Sequence, residues 1–335
     1  MLECCTAQLV GEPQFSGSIG SEGWGNGRAS KRITNSKLFI RSGECGSGRR
    51  GVRALVTVIA LLMGVLGLVM TFLSVPYSKT QAEFISLTKE MLQDVPKYSG
   101  VFTEEDISRL PYPVKKYFRY CGYMNMPKMN SMKAEYRNVR FVFGRGKHPF
   151  TIDYTQYNCA EEPARIAYIS SSMRGIPFEG IDSFIAGKGS MKGVLAKLII
   201  LFRQGGKTMD KASMVNYLSE CLIFPNAALQ DYITWEEVDT LHAKATTSCF
   251  GGNVSGIFAF NDTGEMVSFT TDDREATSAD GKSKKVRWSI ILSDYQETDK
   301  IKKPTGFQAI WHYETGDLLY FDGENVSIEF DPQLM

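Results

Sequence analysis

Three charged residues in the second half of the chain are the best candidates for chemistry: Glu220, Asp239 and Arg274. Glu220 lies at the otherwise apolar end of a predicted helix, and Asp239 follows Trp235 by four residues. A carboxyl group whose pKa is raised by an apolar setting can act as a general acid or base. Alternatively, one of the two carboxylates pairs with Arg274 and ties the helix to a strand. The sequence favours this ion pair, because no second catalytic group has a suitable position.

Motifs that would indicate an enzyme or a metal site are absent from the sequence. It contains three histidines, but no His-Glu-x-x-His arrangement and no Gly-x-Ser-x-Gly elbow. The stretch Gly-Lys-Gly-Ser at 187–190 lacks the first glycine and the final hydroxyl of a phosphate-binding loop. Glycines in a strand against which another backbone packs closely explain it better. We therefore predict no catalytic residue, no metal and no cofactor, and an enzyme ranks third among the functions considered.

Aromatic side chains accompany these charges at alternate strand positions and in the predicted helix. They could line an apolar cavity between sheet and helix, although aromatic residues in this pattern are more often simply core. Together with the three charged residues they form the predicted ligand-binding set: Tyr217, Glu220, Phe224, Trp235, Asp239, Arg274, Trp288 and Trp311.

Residues 54–75 form an uncharged apolar run of 22 residues. As a helix rising about 1.5 Å per residue it would reach roughly 33 Å, enough to cross a hydrocarbon core of about 30 Å. Three arginines lie at positions 49, 50 and 53 before the run, whereas Lys79 is the first cation after it. The positive-inside rule then predicts a single-pass membrane protein with a cytoplasmic N-terminus and residues 76–335 outside the cytoplasm. A cleaved signal peptide is disfavoured, since the run is long and does not end in a small-x-small site.

Composition predicts different roles for the segments on either side of this run. Residues 1–53 are rich in Gly and Ser, which predicts a disordered cytoplasmic tail or a start codon placed too far upstream. The chain has 38 Lys+Arg and 37 Asp+Glu, of which 8 and 4 lie in this tail, so residues 54–335 carry 30 against 33. This near balance argues against nucleic acid or anionic lipid headgroups as dedicated partners. The apolar run makes the membrane bilayer the predicted partner.

Four cysteines follow the apolar run: Cys121, Cys159, Cys221 and Cys249. Their wide, irregular spacing excludes a zinc ribbon. Either they form two disulfides in one of three pairings, or they remain buried thiols.

Hydrophobic periodicity predicts an α+β fold for the exported part. Residues 76–130 have a helical pattern, and over 131–335 apolar residues alternate along successive strands. A helix at about 209–221 interrupts the alternation. We predict one large, curved, half-barrel-like antiparallel sheet, with the N-terminal helices and the internal helix packed on it. A closed barrel or a two-layer sandwich would also hide the apolar face of such a sheet.

One further apolar stretch, Val-Leu-Ala-Lys-Leu-Ile-Ile-Leu-Phe at 194–202, is too short to span a membrane. We expect it to pack under the internal helix. Contact with the membrane surface near the apolar run is the alternative.

Several segments together resemble an uncharacterised family of membrane-anchored bacterial proteins. They are Tyr-Leu-Ser-Glu-Cys-Leu-Ile-Phe-Pro-Asn-Ala-Ala at 217–228, Trp-Glu-Glu-Val-Asp at 235–239 and Leu-Pro-Tyr-Pro-Val-Lys-Lys-Tyr at 110–117. The resemblance is collinear over about 105–325, with Asn226 and Ala228 standing where the family usually has Thr and Leu.

Family membership implies no established activity. The strand order, however, is similar to that of lipoprotein-carrier half-barrels, which hold acyl chains in an apolar cavity. This similarity implies a non-enzymatic domain that binds a hydrophobic or amphiphilic ligand, such as a lipid or an acylated envelope component. The alternative is a structural or interaction protein of the cell envelope whose groove is filled by its own side chains. The oligomeric state is not predicted.

Overall fold

The computed structural model describes residues 47–93, 95, 100–173, 175–277 and 283–333. The chain separates into two compact units, with the boundary between Val75 and Pro76. Of the tail predicted for residues 1–53, everything up to residue 46 lies outside the described residues.

The first unit contains a single described helix, α1 (Ser47–Ser74). It begins seven residues before the predicted apolar run, because the arginine-containing segment that precedes the run is also helical. Along this helix the large apolar side chains are mostly exposed; Leu61 and Leu68 are 65% and 73% accessible. Among the described helices it is the candidate membrane span, long and apolar enough to cross a bilayer.

The second unit holds the remaining helices and all described strands. Its helices are α2 (Lys79–Gln93), α3 (Tyr112–Cys121), α4 (Lys207–Glu220) and α5 (Pro225–Ala228). Its strands are β1 (Ser131–Phe141), β2 (Phe150–Cys159), β3 (Ala164–Met173), β4 (Ile176–Ile185), β5 (Lys188–Leu195), β6 (Ile199–Gln204), β7 (Ile233–Glu237), β8 (His242–Cys249), β9 (Gly252–Phe260), β10 (Met266–Thr271), β11 (Glu275–Thr277), β12 (Ser283–Lys285), β13 (Arg287–Thr298), β14 (Ile301–Tyr313), β15 (Gly316–Gly323) and β16 (Ser327–Phe330).

Fourteen of these strands form one antiparallel sheet in the order β6-β5-β4-β3-β2-β1-β15-β14-β13-β10-β9-β8-β7, with β16 paired to β1. The two edge strands, β6 and β7, do not pair with each other, so within the described residues the sheet is an open half-barrel and not a closed barrel. In the chain, α4 and α5 connect these two edges. Helix α4 packs on β4 and β5 in one arm and on β8 and β9 in the other. The sheet must therefore curve around α4, which confirms the predicted fold class.

The two faces of the sheet are covered by different helices. On β13, Trp288, Ile290 and Leu292 are buried, whereas Ile291 between them is exposed, as expected for alternating strand positions. The buried set belongs to the concave core under α4. Phe84 of α2 instead stacks on Tyr168 of β3, on the opposite face.

Close approach of α4 to β5 explains the glycines at 187–190. A Cβ atom on Gly189 would collide with the backbone carbonyl of Met209 in α4, and Gly187 has a φ of +73°, which favours glycine. The prediction that another backbone packs on this strand is thus confirmed. Gly122 ends α3 in the same permissive way, with a φ of +79° at the C-cap.

All four cysteines of this unit are free thiols, which decides between the two alternatives left open by the sequence. Burial raises the pKa of Cys121 and of Cys159 to about 12. At neutral pH both groups are therefore protonated and poor nucleophiles.

Candidate functional site: the concave interior under helix α4

Helix α4 closes the concave face of the sheet over a cavity of about 80 Å³. Its apolar wall comprises Tyr136, Phe141, Ile152, Ile169, Trp288, Ile290, Phe307, Ala309, Tyr320 and Phe321. Its polar wall comprises Tyr154, Gln156, Arg165, Asn216, Ser219, Glu220 and Gln308. Typical ligand pockets measure roughly 300–1,000 Å³. In this closed form the cavity can therefore hold a small polar group or a few waters, but not an acyl chain.

Arg165, on β3, is the centre of the polar wall and is 3% exposed. Its Nη1 donates to Asp182 Oδ2 at 2.7 Å, and its Nε donates to Glu220 Oε2 at 3.1 Å. Its Nη2 donates to Tyr154 Oη at 2.6 Å and to Gln156 Oε1 at 3.2 Å. The guanidinium thus bridges β2, β4 and α4.

The carboxylate of Glu220 is held by amides as well as by this arginine. Its Oε2 accepts from Gln156 Nε2 at 2.9 Å and from Asn158 Nδ2 at 2.8 Å. Burial alone would lower the pKa of Arg165, but the nearby charges of Glu220 and Asp182 raise it well above its ordinary value. Arg165 therefore stays charged, and we interpret this cluster as the contact that fixes the C-terminal end of α4 on the sheet.

Arg274 follows β10 and is 2% exposed. Its guanidinium carbon lies 4.4 Å from the ring centre of Trp288 and 5.0 Å from that of Trp311. Its Nη1 donates to Asn216 Oδ1 of α4 at 3.0 Å. Among the described residues no carboxylate pairs with it. A buried cation is here stabilised mainly by aromatic faces, an interaction worth up to about 2 kcal/mol when desolvated.

Three buried donor atoms around this guanidinium have no acceptor within the described part of the chain: Arg274 Nε, Asn216 Nδ2 and Trp311 Nε1. Leaving a buried donor unsatisfied costs about 1–3 kcal/mol, and native proteins rarely do so without a reason. A carboxylate or phosphate oxygen would satisfy such donors and also neutralise the arginine. The surroundings of Arg274 therefore have the chemistry of an anion site beside the cavity.

The structure brings four of the eight predicted site residues together. Glu220 and Trp288 line the cavity, and Arg274 and Trp311 lie directly behind its wall. The ion pair expected between Glu220 or Asp239 and Arg274 is wrong: Glu220 pairs with Arg165 instead. Among the described residues of α4, it is Asn216, one turn before Glu220, that hydrogen-bonds to Arg274.

The other four predicted residues lie outside this interior. The Tyr217 hydroxyl donates to the Cys159 carbonyl at 2.8 Å, and Trp235 Nε1 donates to the Ala228 carbonyl at 2.9 Å. Phe224 is fully buried where α4 passes into α5. Asp239 is at the surface beside His242, with 2.8 Å between its Oδ1 and the ring Nδ1. Helical and strand spacing placed these four on elements near the site but not on the faces that line it.

Sequence reasoning missed Arg165, Asp182 and Asn216. A signal for the first two was present: Arg165 alternates with Ala167 and Ile169 on the inward face of β3, where a charge stands out among apolar residues. Asp182 likewise sits on the inward face of β4, two residues before Phe184. A charged residue at an inward strand position predicts a buried partner, but the partner's identity depends on which strands become neighbours.

A larger groove of about 680 Å³ lies on the surface, between α2 and the turns near Pro163 and Ala186. Its charged residues, Glu90, Glu161 and Glu162, are all exposed to solvent. In the interior, by contrast, polar and apolar groups converge with buried charge, and we therefore take it as the candidate site. Within the described residues no cluster of His, Cys, Asp and Glu could hold a metal ion.

Comparison with solved structures finds similarity to proteins of two groups. A LolA superfamily protein from Nitrosomonas europaea is 8% identical, with a TM-score of 0.30, over 66% of this chain and 94% of that chain. A DUF1329 family protein from Desulfovibrio piger ATCC 29098 is 15% identical, with a TM-score of 0.34, over the same shares of the two chains. Comparison with curated proteins finds no match.

The family comparison agrees with the resemblance seen in the sequence segments. The match extends from residue 100 to residue 323, and so contains α3, the whole sheet up to β15, and α4 with the residues of the candidate site. The protein belongs to DUF6544, a family of unknown function.

Proposed function

We propose that this protein is a membrane-anchored, non-enzymatic domain that binds an amphiphilic ligand in the concave interior under α4. The observation that carries the proposal is the composition of the interior: a largely aromatic wall beside a buried arginine with unsatisfied donors. The wall suits an apolar group and the arginine suits an anionic one. A lipid or an acylated envelope component carries both.

Binding of an acyl chain requires α4 to move, because the closed cavity measures only about 80 Å³. Helix α4 connects the two free edges of an open sheet, and a half-barrel with unpaired edges can widen without breaking its strand ladder. The polar residues Ser213 and Asn216 on α4 would then slide over the polar groups of the sheet, while Glu220 keeps its ion pair with Arg165. Such a shift costs less than exposing a purely apolar helix face.

The alternative function is a structural or interaction protein of the cell envelope. The small cavity volume favours it, since tightly packed aromatic side chains already occupy most of the groove. In that case the donors around Arg274 would be satisfied by trapped water.

The two functions are distinguished by what the folded unit carries when purified. We suggest native mass spectrometry of residues 76–335, expressed with an export signal and checked for cooperative unfolding. If the domain binds a ligand, the parent protein should carry an adduct with the mass of an amphiphile, and the Arg274→Met variant should lack this adduct. The matched control is Arg287→Met, which removes an exposed arginine paired with Asp272. A bare mass for the parent protein, unchanged after incubation with anionic phospholipid, would support the self-filled groove.

The proposed location has its own test. We propose that α1 crosses the cell membrane with residues 76–335 on the extracytoplasmic side, as the flanking cations indicate. Protease added to intact spheroplasts should then remove a C-terminal tag. Protection of the tag until lysis would reverse the orientation.

A further inference from the structure

The β5–β6 hairpin exposes an apolar tip that the packing of the domain does not use. The turn is tight, with positive φ at Ala196 and Lys197, and a hydrogen bond from the Leu198 amide to the Leu195 carbonyl closes it. Three consecutive large side chains follow, and Leu198, Ile199 and Ile200 are 66%, 56% and 54% exposed. The hairpin's inward residues do pack under α4, so the expectation from the sequence holds for its base and not for its tip.

The exposed tip is part of a larger apolar surface. The Ala196 amide donates to the Pro177 carbonyl at 2.7 Å, which places the tip beside Ile176, itself 40% exposed. The Lys197 ammonium lies 3.5 Å from the carbonyl oxygen of Tyr77, a residue that is 64% exposed. A contiguous exposed apolar patch on a folded domain usually marks an interaction surface.

The short covalent connection between α1 and Tyr77 limits how far the hairpin tip can lie from the end of α1. Tyr77 is the third residue after Ser74, at which α1 ends. Three residues span at most about 11 Å of extended chain. Whatever the angle between the two units, the tip must therefore stay close to the point where the chain leaves α1.

We propose that this hairpin tip, with Ile176 and Tyr77, inserts into the lipid surface of the membrane that α1 crosses. The inference rests on the membrane anchoring proposed above. Apolar side chains at the tip suit the boundary between headgroups and acyl chains, as does a tyrosine. Two exposed cations, Lys79 two residues after Tyr77 and Arg203 three residues after Ile200, complement anionic headgroups. The domain would then sit on the bilayer with its β6 edge at the lipid.

The test uses the full chain reconstituted in vesicles of phosphatidylcholine and phosphatidylglycerol, with or without bromine on the acyl chains. A tryptophan is introduced by Leu198→Trp, and its emission is read as the difference from the parent protein. Interfacial segments lie about 5–10 Å deep, within reach of the bromines, so we expect the added emission to fall by about half. The control, Ile257→Trp, is on the outer surface of β9 in the other arm, where the parent residue is 42% exposed.

Equal quenching at positions 198 and 257, or none at 198, would overturn the proposal. Extraction of the same vesicles with alkaline carbonate distinguishes failure of the hairpin to insert from failure of α1 to anchor the chain. A chain that stays in the membrane but shows no quenching at 198 refutes the hairpin alone, whereas a chain that is released refutes the anchor and the hairpin together. If the Leu198→Trp protein does not unfold cooperatively, the variant is not properly folded. Ile199→Trp then provides the same measurement one residue along the tip.

Discussion

The two buried arginines of the concave interior are stabilised in opposite ways. Arg165 donates to two carboxylates, a phenol and an amide oxygen, so its charge and its hydrogen bonds are satisfied within the protein. Among the described residues, Arg274 lies over two indole rings and donates to one amide oxygen. The exposed fractions are nearly equal, 3% and 2%. Burial alone therefore does not distinguish a structural charge from one that is available to a ligand.

What distinguishes the two arginines is the state of their neighbours. Removing Arg165 leaves Asp182 and Glu220 buried without a cation, and removal of one partner from a buried pair costs about 3–5 kcal/mol. Removing Arg274 leaves no carboxylate behind among the described residues. Helix α4 touches both sites, through Glu220 at one and Asn216 at the other. A ligand that engaged Arg274 could therefore shift the helix without breaking the cluster at Arg165.

The largest expected effect is at Arg165. Arg165→Met, which keeps the side-chain length, should lower the free energy of unfolding by about 3–5 kcal/mol. For a domain of this size we expect a loss of roughly 2–4 °C in Tm per kcal/mol. Chemical denaturation of residues 76–335 followed by circular dichroism measures the change. A loss below about 1 kcal/mol would mean that the cluster is solvated and does not fix α4.

A double-mutant cycle tests whether Arg165 and Glu220 interact directly. Glu220→Gln removes the carboxylate that Arg165 and two amides share, so the single variant should also be destabilised. Because the two residues contact each other, the double variant should cost less than the sum of the single changes by about 0.5–3 kcal/mol. Strict additivity in the unfolding free energies would contradict a direct Arg165–Glu220 pair. Asp239→Asn, at an exposed position, should show no coupling to Arg165.

A smaller effect on stability is expected at Arg274. Arg274→Met replaces a buried cation with an apolar chain of similar length, a change that is often neutral or even stabilising. The loss of two cation–π contacts opposes this gain, so we expect a net change within about 1 kcal/mol. The ion pair expected from the sequence would instead predict a marked loss of stability for Arg274→Met. A loss as large as that of Arg165→Met would show that Arg274 has a structural partner and would weaken its assignment to ligand binding.

The fold could be predicted from the sequence much further than the site. Alternation along the strands gave the inward positions of Trp288 and Trp311, and the glycines at 187–190 indicated the close approach of another backbone, because both signals are local. The partner of Glu220 could not be read in this way. Arg165 is 55 residues away in the chain, and it meets Glu220 only because α4 returns across β3. Pairings of this kind depend on sheet order, which periodicity does not encode.

The smallest expected effect concerns Asp273, next to Arg274. Its Oδ1 accepts from Lys211 Nζ of α4 at 2.7 Å, and its Oδ2 accepts from the Ser255 amide at 2.8 Å. Burial alone would raise the pKa of Asp273, but these hydrogen bonds and the lysine charge lower it below its ordinary value. The stabilisation from a carboxylate with a depressed pKa is complete above its unfolded pKa of about 3.9 and is lost as the pH falls through the folded pKa.

Asp273→Asn should therefore lower the unfolding free energy at neutral pH by less than about 1 kcal/mol, since the pair is partly exposed. The difference from the parent protein should shrink as the pH falls from about 5 through the depressed folded pKa of Asp273, because the parent carboxylate then becomes protonated as well. Urea denaturation at several pH values measures it, and Asp272→Asn, in an exposed pair with Arg287, is the matched control. A difference that stays constant over this range would show that Asp273 contributes through shape alone. A difference that vanishes would mean that the charge on Asp273 holds the N-terminal end of α4 through Lys211, less firmly than Arg165 holds the C-terminal end through Glu220.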